Sequence, residues 1–156
     1  MKIILGLFLS LCFTIPTQVK SLEKGIWTFV KTDEYCYVGS LATDSDLSPE
    51  KNRGENYILV YKNIGSPETI IQIEAGYNYK LSSEIIVTID KGIYEFYTTE
   101  DLPSASWTDE DNKVIFAMKK GLELFVKGES SRGTITNDTY TLKGFTAAYN
   151  KLTSDC

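Results

Sequence analysis

Residues 69–75 set Ile71, Ile73 and Ala75 on one side and Gln72 and Glu74 on the other. That two-residue period is what most limits the fold. Only a pleated strand with one face in a core and one in water suits every residue of such a run. The texture recurs along the chain. Residues 25–30 put Trp27 and Phe29 on one face, residues 35–38 follow after the polar turn 31–34, and residues 57–61 form a third strand. Residues 84–89 and 93–97 flank Asp90-Lys91-Gly92, where the glycine is expected to supply the positive φ of a tight hairpin. Residues 122–126 return to strand. Residues 132–136 and 139–142 read as a hairpin about Asn137-Asp138, a pair that favours turns. Residues 63–68, with Gly65 and Pro67, are turn chemistry, and the polar stretch 43–56 reads as a long loop.

Two helices interrupt this pattern. Thr108 is expected to cap the first, with Asp109, Glu110 and Asp111 at its start, Lys119 and Lys120 at its end, and Gly121 in the left-handed position beyond. Val114, Ala117 and Met118, with Ile115 beside them, make its apolar stripe. Residues 145–152 read as a short closing helix with Phe145, Ala148, Tyr149 and Leu152 inward. The expected fold is mainly β: an antiparallel sandwich or flattened barrel of about eight strands, with one inserted helix and a short C-terminal helix. The pairing order does not follow from the pattern.

Residues 1–21 have the make-up of an export signal: Lys2, an apolar run over 3–15, Pro16, and a cut expected after Ser21. Residues 22–156 then form a single β-rich domain, expected outside the cytoplasm and not transmembrane. Loss of two leader lysines moves the net charge from −5 to −7. That sign disfavours nucleic acid and anionic membrane surfaces as partners. Cys12 would leave with the leader. Cys36 and Cys156 remain, an even pair in an oxidising compartment, and a disulfide between them is expected; two unpaired thiols are the alternative.

The chain has no histidine. This removes the commonest general base at neutral pH, the Ser-His-Asp and Cys-His nucleophile systems, and every zinc site that needs imidazole. Carboxylate-dependent hydrolysis stays open, since 21 acids guarantee some close pairs, but no spacing marks one pair as special. No cofactor is expected. The acidic loop 44–50 alternates oxygen donors as calcium sites do, without the glycine and distant glutamate of an EF-hand. Residues 109–112 are explained as a helix start. Asn137-Asp138-Thr139 matches a glycosylation acceptor, which the expected hairpin tip accounts for.

Three stretches together carry a family likeness. They are Gly25-Ile26-Trp27-Thr28-Phe29-Val30 followed by Cys36; residues 86–92; and Met118-Lys119-Lys120-Gly121-Leu122-Glu123-Leu124, resumed by residues 141–152, of which Leu142-Lys143-Gly144-Phe145-Thr146-Ala147-Ala148 is the most distinctive part. In this order they resemble the invasion-associated locus B family of exported bacterial proteins. The resemblance implies export to the periplasm or outer membrane, and in some pathogens a link with host-cell entry; it brings no catalytic residue or cofactor. Cysteines that the family often has after the tryptophan strand and near the middle are missing here, so Cys36–Cys156 would be a replacement arrangement. The terminal motif reads as packing: Gly144 for a sharp corner, Phe145 into the core, Thr146 as a cap, and Ala147-Ala148 for close approach to a sheet.

Ten tyrosines and two tryptophans invite an aromatic binding surface, with packing in the core or along strands the stronger reading of them. Trp107, just before the first helix, and then Tyr77 and Tyr79 are the candidate binding aromatics. The reading is of a non-enzymatic exported protein that binds a protein or envelope component through its surface. The alternative is a periplasmic small-molecule or glycan-binding domain.

Overall fold

The structure is a computed structural model and describes residues 21–156. The expected leader, Cys12 included, lies outside the described residues except for Ser21. Ten strands and two helices follow in the order β1 (Thr28–Lys31), β2 (Tyr35–Leu41), β3 (Asp44–Ser45), β4 (Tyr57–Asn63), β5 (Ile70–Glu74), β6 (Ile85–Ile89), β7 (Gly92–Phe96), β8 (Ala105–Ser106), α1 (Asp111–Lys120), β9 (Glu123–Glu129), β10 (Ile135–Thr141) and α2 (Phe145–Asp155). They build two five-stranded sheets, β1-β2-β4-β5-β8 and β3-β10-β9-β6-β7, with every strand pair antiparallel. The arrangement is a sandwich and not a closed barrel. The strands beyond the expected number include β3 and β8, which have two residues each and so carry no periodicity to read.

The two-residue period decides what lies between the sheets. Val38, Ile58, Val60, Ile71 and Ile73 face inward from the first sheet, and Ile85, Val87, Ile89, Leu124, Val126 and Tyr140 from the second. Each of the aliphatic side chains among them, fully buried, stabilises the fold by about 1.5–3 kcal/mol. Val114, Ile115 and Met118 of α1 and Phe145 and Leu152 of α2 complete the core. Trp27 packs edge-on against Phe145 at 4.9 Å, and its indole N–H donates to the Thr141 carbonyl at 2.9 Å, tying the entry of β1 to the end of β10. Cys36 and Cys156 are bridged across 120 residues of sequence and fasten α2 to the inner side of β2.

Several local expectations are overturned. Asn137-Asp138 is not a hairpin tip but the middle of β10, paired residue for residue with Lys127 and Val126 of β9. The chain reverses earlier, at residues 130–134, where Gly133 has φ +83° and its N–H donates to the Ser130 carbonyl at 2.8 Å. Gly92 does not supply the positive φ of the β6–β7 hairpin; Asp90 does, at +51°, because Gly92 already pairs with Ile89. A Cβ at Gly92 would instead meet the Tyr94 hydroxyl at 2.6 Å and its ring at 2.9 Å. Gly121 is extended and not left-handed. It is small because a Cβ would lie 2.6 Å from Ile89 and 2.9 Å from Leu142.

Thr108 acts one step before the helix it was expected to cap. It accepts the Glu110 N–H at 3.2 Å, and α1 begins at Asp111. Gly144 makes the corner into α2 with φ +87°, as its place in the motif implied, and Phe145 is fully buried. Thr146 does not cap α2; its hydroxyl donates to the Lys119 carbonyl and joins the two helices. Ala148 is buried against the core, whereas Ala147 is exposed.

Candidate functional site

The same alternation that points Cys36, Val38, Ile58 and Val60 inward points tyrosines outward. On β2 these are Tyr35 and Tyr37; on β4 they are Tyr57 and Tyr61, with Leu59 between them. Register aligns them in rows across the first sheet. Val30, Tyr37, Tyr61 and Ile70 form one row, and Thr28, Gly39, Leu59 and Gln72 the next. Gly39 leaves a gap in the second row, and Leu59 and Leu22 lean into it, so that a Cβ there would meet them at 2.6 and 2.9 Å. The result is a depression of about 410 Å³ with a leucine floor and tyrosine walls, completed by Asn63 and Gln72. The Tyr35 and Tyr37 rings are near parallel at 6.2 Å.

Burial raises the hydroxyl pKa of Tyr37, and nearby Tyr35 adds to it; burial also raises that of Tyr57, helped by Glu74 and Glu55. These phenols therefore remain neutral hydrogen-bond donors well into alkaline solution. The outer face of the second sheet differs. Ile93, Phe125 and Ile135 are exposed there, but Glu95, Glu123 and Lys127 stand among them.

The aromatics singled out from sequence lie elsewhere. Tyr79 is 2% exposed and offers no ring face to a ligand; it lies over Gly128 and meets Tyr77 edge-on at 5.4 Å. Tyr77 is half-buried, with its hydroxyl 2.7 Å from that of Thr136 and the Arg53 guanidinium over its ring. Trp107 is half-buried and exchanges two backbone hydrogen bonds with Tyr97, both 2.9 Å. The outward tyrosines were missed, although the runs Tyr35-x-Tyr37 and Tyr57-x-Leu59-x-Tyr61 hold the signal that finds them.

Beside Tyr77 the loop between β3 and β4 is latched to β10. The Arg53 guanidinium clasps the Asp138 carboxylate with both terminal nitrogens and also donates to Ser45 Oγ at 3.1 Å. Burial alone would lower the Arg53 pKa; the hydrogen bonds and charge of Asp138 more than reverse this and raise it. Asp46 accepts the Asn137 backbone N–H at 2.7 Å and its side-chain amide at 2.6 Å, which lowers the Asp46 pKa. The oxygen donors read as calcium-like thus serve the fold. Among the described residues no group of three or more His, Cys, Asp or Glu side chains is placed to hold a metal.

A second acidic region lies at the start of α1, where Glu68, Asp109, Glu110 and Asp111 line a cleft of about 540 Å³. Glu110 is paired with Lys113, and Asp111 accepts the Ile71 N–H at 2.7 Å. Burial raises the Asp111 pKa against the opposing effect of that hydrogen bond. Its carboxylate is therefore committed to anchoring α1 on β5. Among the described residues no helix is long and apolar enough to cross a membrane.

Comparison with known proteins agrees with this architecture. A family model described as "Invasion associated locus B (IalB) protein" matches residues 28–153. Among solved structures, the chain is similar to the crystal structure of invasion associated protein B from Bartonella henselae, at 15% identity and a TM-score of 0.60, over 84% of this chain and 94% of that one. At that identity the likeness concerns the fold alone. No curated protein matches the chain.

Proposed function

The chain belongs to the invasion-associated locus B family, and from that premise we propose that it is an exported, non-enzymatic protein that binds a protein or envelope component through the tyrosine-lined outer face of its first sheet. Its place of action is the periplasm or the outer membrane. The observation that carries the reading is the set of outward tyrosines, Tyr35, Tyr37, Tyr57 and Tyr61, around a depression that no charged side chain lines. Tyrosine supplies a large amphipathic contact at low conformational cost, and is enriched at the energetic centres of interfaces. The absence of histidine and the commitment of Asp111 to the fold support a role without catalysis.

Tagged mature protein and its Tyr37→Ala and Tyr61→Ala variants test this by affinity capture from the protein's own cell envelope, read by mass spectrometry. The wild type is expected to retain a component that both variants lose. Equal capture by all three refutes the assignment of this face.

A further inference from the structure

We propose that the tyrosine face takes a segment of an uncharged polysaccharide chain. This rests on the binding role proposed above and names its occupant. The depression, at about 410 Å³, falls in the range of small-ligand clefts, roughly 300–1,000 Å³. Charged residues make up 24% of the chain, yet none lines it. Its polar groups are four phenols and the carboxamides of Asn63 and Gln72. Phenols and carboxamides both donate and accept hydrogen bonds, which suits a ligand whose hydroxyls do the same. The aromatic walls and the leucine floor suit the apolar C–H faces of sugar rings.

The surroundings select against other occupants. Glu74 lies opposite Tyr57 in register, and the protein is acidic overall, so anionic polymers are repelled. A peptide cannot add as a strand, because β2 is already paired with β1 and β4, and β4 with β2 and β5. Only side chains meet the ligand. From Tyr57 to Tyr61 the wall runs four strand steps, about 13 Å, which favours a chain over a single ring.

The test is titration of the mature, oxidised domain with chitohexaose, cellohexaose and maltohexaose, with oligogalacturonate as the charged control, read by amide chemical shifts. At least one neutral probe is expected to shift β2 and β4 resonances, and oligogalacturonate is not. Affinity should fall roughly tenfold in Tyr61→Ala and in Gln72→Leu. The second variant removes an amide without touching an aromatic ring or the strand pairing, so loss of binding there is not loss of fold. The proposal is overturned if no neutral probe shifts the face, if oligogalacturonate binds equally, or if neither substitution weakens binding. Should the neutral probes fail while Tyr37→Ala and Tyr61→Ala still abolish envelope capture, the glycan assignment falls and the binding face stands. Should capture also be unaffected, both fall.

Discussion

Replacing Asp138 by alanine should remove a large part of this protein's stability, although the residue sits in what reads locally as a turn. Its side chain is 5% exposed and that of Arg53 is 9% exposed. Truncation leaves the guanidinium buried with two weaker partners, Ser45 Oγ at 3.1 Å and the Ala75 carbonyl at 3.4 Å. Breaking a buried pair by removing one partner costs about 3–5 kcal/mol, because the other charge stays uncompensated. With a urea slope of about 2 kcal/mol per molar, the unfolding midpoint should drop by about 2 M. Equilibrium urea unfolding of the oxidised protein, followed by tryptophan fluorescence, measures this. The double variant Arg53→Met/Asp138→Leu should lose less than Asp138→Ala alone, since no orphaned charge remains. A loss under about 1 kcal/mol for Asp138→Ala, the scale of a surface ion pair, refutes the reasoning.

The Asp111 pKa is raised in the folded state, mainly by burial. The ionised form is thus disfavoured by folding, a cost absent below the unfolded pKa of about 3.9 and complete above the folded value. The stability of Asp111→Asn relative to wild type should therefore increase as pH rises from about 4, by less than about 1 kcal/mol after solvent screening; a pH-independent difference in urea midpoints contradicts this. Gly39→Ala puts a Cβ 2.6 Å from Leu59, 2.9 Å from Leu22 and 3.2 Å from the Ile58 carbonyl. It should cost about 1–3 kcal/mol by thermal unfolding, and an unchanged midpoint would show that the face relaxes freely. Reduction of Cys36–Cys156 releases a loop of 120 residues. Closing such a loop is worth at most about 5 kcal/mol in the entropic model. Urea unfolding with and without reductant should differ by about 2–5 kcal/mol, and overlapping curves would exclude a stabilising bridge.

The strands were legible wherever one face met the core, because burial imposes a period of two on the residues themselves. β5 is the plainest case: Ile71 and Ile73 are buried, while Gln72 and Glu74 are not. Helix α1 was legible from its acidic start and basic end, and the disulfide from an even count of exported cysteines. Asn137-Asp138 was misread because its partners, Asp46 and Arg53, stand 91 and 85 residues away. Local preference favours a turn there; tertiary hydrogen bonds make it a strand. Gly92 and Gly121 were read for backbone freedom, yet both are kept small by a neighbouring side chain. The tyrosine face was hidden for another reason. Loop-borne aromatics look more accessible than strand-borne ones, but Tyr79 is packed over Gly128, whereas Tyr35 is exposed and Tyr37 half-buried on the outer face of β2.

The strand order gives the molecule an indivisible build. The chain crosses from one sheet to the other after β2, β3, β5, β7 and β8, so neither layer is made from one continuous stretch of polypeptide. No segment can collapse into a finished half. Assembly must await pairings as remote as Asp44 with Thr139, which places the domain among slow folders, on the millisecond-to-second scale. The same stitching means that a protease nick in the loop between β3 and β4 should leave the two pieces held as one particle.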